Sequence, residues 1–111
     1  MMAHAILAIF AAIPMAPNDR WSLDFVSDQM TDGRRFRVLT VVDDCTRECL
    51  ALVADTSLSG LRVARELETL MASRGRPKMI VSDNGTEFTS NAILGFADRM
   101  GIDWHYIAPG K

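Results

Sequence analysis

The hydrophobic pattern in the first half of the chain predicts three antiparallel strands. In the first, residues 21–30, the large apolar side chains share one face at a period of two: Trp21, Leu23 and Phe25. Asp24 falls on the opposite face. Two further apolar runs, residues 35–42 and 48–54, predict the second and third strands. The Asp32-Gly33 pair predicts a tight turn between the first two, because such a turn requires a positive φ.

The spacing of apolar residues becomes helical after the third strand. The predicted buried stripe consists of Leu58, Leu61, Ala64, Leu67, Leu70 and Met71. Thr56 or Ser57 is expected to cap the start of this helix, and Gly75 and Pro77 are expected to end it.

The last third of the chain predicts strand, helix and strand again. Residues 78–82 have the continuous apolar character of a buried parallel strand. Ser90 is expected to cap a second helix that Gly101 ends, and residues 103–107 form a fifth strand. The predicted order is β-β-β-α-β-α-β, which indicates an α/β fold with helices packed on a mixed sheet.

Length and charge narrow the class of protein. The chain has 111 residues, enough for one small domain, and 49% of them are hydrophobic. Its net charge is −2 and its pI about 5.6, whereas a self-sufficient nucleic-acid-binding domain is normally basic. Any affinity for DNA must therefore come from a local patch, from metal ions or from further segments.

The N-terminal apolar run and the two cysteines bear on the cellular compartment of the protein. The apolar run at residues 5–13 is shorter than the roughly 20 residues that cross a bilayer. No Lys or Arg precedes it, and Pro14 follows it, so we interpret residues 1–17 as an apolar tail rather than a secretion signal. Cys45 and Cys49 are interpreted as small buried or half-buried residues. The chain is expected to be cytoplasmic, with no membrane partner.

Two aspartates occupy unusual positions in this pattern. Asp24 lies within the first strand, and Asp83 follows the fourth, just before Asn84-Gly85. A strand entered through a helical crossover can lie beside the first, and the two carboxylates would then meet and repel. A divalent cation with a preference for oxygen ligands, Mg²⁺ or Mn²⁺, would relieve that repulsion. Otherwise, both are ordinary turn and edge residues.

The ordered motifs resemble a known family. WSLDFV, VVDDCTRECLAL, IVSDNGTEF and IDWHYIAPGK resemble successive motifs of the retroviral-integrase-like core of bacterial insertion-sequence transposases, over residues 18–111. The resemblance implies a ribonuclease-H-like fold, a DDE catalytic triad, two Mg²⁺ (or Mn²⁺) ions and strand transfer on DNA. It implies that Asp24 and Asp83 are the first two catalytic, metal-binding acids.

The chain departs from that family in its third acid. In the family, a Glu lies on a helix that follows the APGK-type loop, and this sequence ends within that loop, at Lys111. Glu87 does not occupy the family's third position. We therefore expect residues 18–111 to be a partial core without its C-terminal helix, weakly active or inactive.

The implied partner is DNA, both transposon ends and target, together with self-association or pairing with a full-length transposase. Two other functions remain open. The chain could be a non-catalytic remnant that acts as an interaction module, or a ribonuclease-H-type nuclease acting on RNA–DNA hybrids.

Other residues have simpler interpretations. Asp43 and Asp44 are predicted to be turn residues. Arg47 is interpreted as a solvated side chain, with a DNA phosphate contact as the alternative. His105 is expected to pack near the sheet edge rather than to act in catalysis. The two tryptophans, Trp21 and Trp104, are expected in the core or on a sheet face.

Overall fold

The predicted order of strands and helices is confirmed. A computed structural model describes residues 16–83, 85 and 88–107. Within these residues, the elements are β1 (Arg20–Gln29), β2 (Arg35–Asp43), β3 (Cys49–Asp55), α1 (Gly60–Arg74), β4 (Met79–Asp83), α2 (Asn91–Met100) and β5 (Asp103–Ile107). The apolar run at residues 5–13 lies outside this described part.

The strands form one mixed sheet in the order β3-β2-β1-β4-β5. β1 pairs antiparallel with β2, and β2 with β3, so the predicted meander forms one half of the sheet. β4 is parallel to both β1 and β5, as strands reached through helical crossovers usually are. The first strand is therefore central, flanked by an antiparallel neighbour and a parallel one.

Period-two alternation on the central strand separates a core face from a polar face. Trp21 and Leu23 are buried in one apolar cluster with the side chains of both helices. Each large apolar side chain buried in this way stabilises the fold by about 1.5–3 kcal/mol. Ser22 and Asp24 alternate with them and project from the opposite face.

Helix α1 differs from its prediction in start and phase. Its cap is Ser59, whose side chain accepts a hydrogen bond from the Arg62 N–H, rather than Thr56 or Ser57. The helix begins at Gly60, which brings Val63 into the core and leaves Leu61 60% exposed, contrary to its predicted burial. Leu58 is buried, but it precedes the helix.

The ends of α2 and the hairpin turn agree with their predictions. The Ser90 hydroxyl accepts from the Ile93 N–H, and Gly101 ends α2 in the left-handed conformation. Gly33 has a φ of 92°, the positive value expected of the Asp-Gly turn between β1 and β2. Gly75 ends α1 with a φ of 89°.

Candidate functional site

Asp24 and Asp83 lie on neighbouring parallel strands. Asp24 is in the middle of β1, and Asp83 is the last residue of β4. The register pairs Trp21 with Ile80 and Ser22 with Val81. Continued by two residues, it aligns Asp24 with Asp83, on strands that are about 4.8 Å apart. By alternation, both carboxylates fall on the face opposite the helices.

The electrostatics of Asp24 reflect this placement. Its partial burial raises the pKa of its carboxyl above the ordinary value of 3.8. The Phe25 backbone N–H lowers the pKa, and the negative charge of Asp83 raises it again. The ionised form of Asp24 is therefore less favourable than that of an exposed aspartate. A cation placed between the two carboxylates would stabilise the ionised form.

The carboxylate of Asp83 is held by the turn that follows it. Its Oδ1 accepts a hydrogen bond of 2.9 Å from the Gly85 N–H. A Cβ atom at position 85 would lie 3.0 Å from the same oxygen, a close contact that the carboxylate would relieve by shifting a few tenths of an ångström. Asn84, the other residue of the predicted turn, lies outside the described residues.

Asp44 is a turn residue as predicted, whereas Asp43 is the last residue of β2, and both acids are buried. The Asp43 carboxylate accepts from the backbone N–H groups of Asn18, at 2.9 Å, and Cys45, at 2.8 Å. The Asp44 carboxylate contacts two side chains of β1. These contacts fix the turn structurally and leave neither acid available as a partner for Asp24.

The contacts of Asp44 were not foreseen from the sequence. Its Oδ2 lies 2.6 Å from Nε of Arg20, and the Ser22 hydroxyl lies 2.7 Å from both carboxylate oxygens. All three residues are buried. The sequence signal was the charged Arg20 at the start of an apolar strand, which requires an acidic partner if it is buried.

The remaining polar candidates lie away from the two acids or at the surface. His105 is on the edge strand β5 as expected, but it is exposed, and its Nε2 lies 2.8 Å from a carboxylate oxygen of Asp103. Arg47 is exposed at the end of the β2–β3 turn, with a φ of 64°. Cys45 is half-buried as predicted, whereas Cys49 is exposed.

Both tryptophans have the packing expected of them. Trp21 is fully buried in the core, and Trp104 is half-buried against the same cluster.

The donor chemistry of the two aspartates fits a hard divalent cation. Carboxylate oxygens are the ligands that Mg²⁺ and Mn²⁺ prefer, and usually one or two protein carboxylates hold Mg²⁺. Within residues 16–83, 85 and 88–107, no group of three or more His, Cys, Asp or Glu side chains is placed to hold a metal. Glu87 and residues 108–111 lie outside those residues.

No helix in the described part of the chain is both long enough and apolar enough to span a bilayer.

Sequence comparisons connect the chain to a family. A family model described as the integrase core domain matches residues 14–111. An uncharacterized 31.7 kDa protein of insertion element IS407 from Burkholderia multivorans is 47% identical over 100 residues. That alignment covers 90% of this chain and 36% of the relative.

A second relative gives the same result. An uncharacterized 39.2 kDa protein of insertion element IS476 from Xanthomonas euvesicatoria is 45% identical over 94 residues, covering 85% of this chain and 27% of the relative. The chain thus spans about a third of the length of these curated relatives.

Solved structures agree with the fold. The HTLV-2 integrase catalytic core domain, in complex with magnesium, superposes with a TM-score of 0.75 at 17% identity, covering 84% of this chain and 62% of that one. The simian T-cell lymphotropic virus intasome, in complex with a PP2A regulatory subunit, superposes with a TM-score of 0.76 at 20% identity. That alignment covers 86% of this chain and 34% of the intasome chain. At these identities the likeness establishes the ribonuclease-H-like fold.

Proposed function

The chain belongs to the integrase core domain family, and from that membership we propose that it is part of a transposase that cuts and joins DNA for an insertion element. Two observations support the proposal. The two curated relatives described above are insertion-element proteins. The fold is that of integrase catalytic cores.

Asp24 and Asp83 are the proposed metal ligands. The observation that supports this assignment is the parallel register of β1 and β4, which, when continued by two residues, aligns the two acids on neighbouring strands. The electrostatic effect of Asp83 on Asp24 is consistent with that proximity. On the rigid centre of a sheet, the partly buried carboxylate of Asp24 beside that of Asp83 would form a site prepared for a cation.

The ion would be Mg²⁺ or Mn²⁺, with two ions in a complete family site. Asp24 and Asp83 would hold such ions, which would activate an attacking water or DNA 3′-hydroxyl and stabilise the leaving oxygen of a phosphodiester. The contribution of this chain is to supply oxygen ligands and to fix their orientation. The Gly85 N–H occupies one oxygen of Asp83, which limits the rotation of that carboxylate.

The proposed substrate is DNA, and the charge of the chain bears on how it binds. The net charge of −2 gives no general attraction to a polyanion. The cations at the two aspartates would therefore supply part of the local positive charge that a phosphodiester requires. The rest would come from other segments of the transposase or from a second copy of the chain.

Titration with Mn²⁺ tests the metal site directly. We would measure the dissociation constant of Mn²⁺ by calorimetry and by the loss of the free-ion electron paramagnetic resonance signal. The variants are Asp24→Asn, Asp83→Asn and, as a matched control, Asp28→Asn. Asp28 is exposed, four residues further along β1 and on the same face as Asp24. Nicking of a supercoiled plasmid in Mn²⁺ reports the chemistry.

The affinity for Mn²⁺ should distinguish the two ligand variants from the control. Loss of a supporting residue outside the ligand shell costs about 10- to 100-fold in metal affinity, and loss of a ligand should cost at least that. Asp24→Asn and Asp83→Asn should each show this loss, and Asp28→Asn should not. Equal Mn²⁺ affinity in the wild type and all three variants would contradict the proposed metal site. Metal binding without plasmid nicking would favour an interaction module over a nuclease.

A further inference from the structure

Aromatic side chains connect the strand segment after Asp24 to the segment after Asp83. Phe25 directly follows Asp24, and Phe88 is five residues beyond Asp83. Their rings are stacked, with centroids 4.7 Å apart and an interplanar angle of 17°. Phe88 is fully buried, so this contact joins the neighbourhood of both acids to the core beneath them.

The edge strand β5 holds Phe88 in place. The Tyr106 hydroxyl donates a hydrogen bond of 2.6 Å to the Phe88 carbonyl oxygen. The Tyr106 hydroxyl is protonated at neutral pH, because partial burial raises its pKa further above the ordinary value of 10.0. The Trp104 ring contacts Phe88 at a centroid distance of 6.2 Å. Phe88 is therefore held from both sides, by β1 and by β5.

A second connection reaches the backbone of Asp83 itself. The Trp104 Nε1–H donates to the Ser82 hydroxyl at 2.9 Å, and that hydroxyl donates to the Asp83 carbonyl oxygen at 2.8 Å. Ser82 is fully buried. Side-chain hydrogen bonds connected in this way polarise and orient one another. The orientation of the Asp83 backbone is thus coupled to a side chain on the next strand.

We propose that Tyr106 and Trp104 are positioning residues for the metal site, acting through Phe88 and Ser82 to fix Asp83 against Asp24. By alternation along the paired strands, both side chains lie on the face of the sheet opposite the two carboxylates. Tyr106 anchors the backbone at Phe88, and Trp104, through Ser82, anchors the backbone at Asp83. The consequence for metal binding rests on the proposed function, whereas the positioning itself can be measured without a metal.

Two conservative variants isolate the two hydrogen bonds. Tyr106→Phe removes only the hydroxyl, and Trp104→Phe removes the indole N–H while retaining an aromatic ring. Thr69→Val is the matched control, because it removes a hydroxyl that donates to the Arg65 carbonyl oxygen on the exposed face of α1. The melting temperature of each variant shows whether any effect reflects general loss of stability.

The first measurement is amide hydrogen exchange without metal, read at Gly85 and Phe88. The Gly85 N–H donates to the Asp83 carboxylate, and the Phe88 N–H donates to the Gly85 carbonyl oxygen at 3.0 Å. We expect exchange at both amides to quicken about tenfold in Tyr106→Phe, the scale of one lost hydrogen bond. Unchanged exchange in Tyr106→Phe and Trp104→Phe would overturn the proposal.

The second measurement is the dissociation constant of Mn²⁺ for the same proteins. We expect it to rise about tenfold in Tyr106→Phe and Trp104→Phe, as for other supports of metal ligands, and to stay unchanged in Thr69→Val. Faster exchange with unchanged Mn²⁺ affinity would overturn the positioning role. If the unaltered chain binds no Mn²⁺, the proposed function fails, and the exchange rates alone then decide whether Tyr106 and Trp104 position Asp83.

Discussion

Arg20 and Asp44 form a buried ion pair, with 2.6 Å between Nε and Oδ2 and side-chain exposures of only 4% and 1%. The pair joins the start of the central strand to the turn after β2. Because the Ser22 hydroxyl also contacts Asp44, removal of this carboxylate would take one partner from each of two buried polar groups.

Asp44→Ala should therefore be strongly destabilising. Breaking a buried ion pair on one side costs about 3–5 kcal/mol, because the other charge stays buried. The free energy of unfolding in urea measures this. Asp32→Ala is the control, since the Asp32–Arg34 pair is largely exposed and should contribute little. Equal losses in the two variants would show that burial of the Arg20 pair has no energetic effect.

Asp24 should make stability depend on pH. Burial, followed by the charge of Asp83, raises the pKa of Asp24 in the folded chain above the ordinary 3.8. The folded chain then holds this proton more tightly than the unfolded chain, so stability is lost as pH rises through the folded-state pKa. Without metal, Asp24→Asn should melt like the wild type below pH 3.8 and higher than it at neutral pH.

Thermal melts with and without a divalent cation check this expectation. An ion present at about 100 times its dissociation constant adds about 2.7 kcal/mol to the stability of a chain that binds it. Mg²⁺ should therefore raise the melting temperature of the wild type and not that of Asp24→Asn. A lower melting temperature for metal-free Asp24→Asn at neutral pH would contradict the inference that the charge of Asp24 destabilises the fold.

Gly85→Ala should weaken metal binding more than it weakens the fold. The added Cβ would lie 3.0 Å from Oδ1 of Asp83 and displace that carboxylate. We expect a loss of about tenfold in Mg²⁺ affinity, measured by calorimetry. Gly95→Ala is the matched control, since no heavy atom lies within 4 Å of its added Cβ. Within α2 it should add about 1 kcal/mol of stability. Unchanged Mg²⁺ affinity in Gly85→Ala would indicate that Asp83 tolerates displacement.

Ser59→Ala should lower the stability of α1. The Ser59 hydroxyl accepts from the Arg62 N–H at 3.2 Å, and loss of such a cap costs about 1 kcal/mol. Thr56→Ala changes a residue that was predicted as a cap but lies before the helix. Denaturant midpoints should fall for Ser59→Ala and remain close to the wild type for Thr56→Ala. A lower midpoint for Thr56→Ala than for Ser59→Ala would instead support the helix start predicted from the sequence.

The fold was predictable wherever a local pattern determines structure. Alternation at Trp21, Leu23 and Phe25 defined the first strand, and Gly33 and Gly101 marked a turn and a helix end that require positive φ. The phase of α1 was wrong because Leu58 is buried without being helical. Leu58 and Leu61 appeared to continue one stripe, and only the position of Ser59 shows that the helix begins after Leu58.

The candidate site was partly predictable. The placement of Asp24 on the polar face of a strand and of Asp83 at a strand end follows from the sequence. Their alignment depends on the parallel pairing of β1 with β4, which no local pattern specifies. The supports from Tyr106 and Trp104 were missed for the same reason. Each contacts a residue about 20 positions earlier in the chain, and the alternation of apolar residues carries no information about such pairs.

The parallel pairing of β1 and β4 also affects when the site forms during folding. The β1–β2 hairpin closes through contacts that are local in sequence, whereas Asp24 and Asp83 are 59 residues apart. Pairing of distant segments is slow, because chain entropy is lost before the new contacts stabilise the structure. A partly folded chain with its hairpin formed would carry Asp24 without Asp83. The capacity to bind a metal would therefore be acquired only when the crossover through α1 is complete.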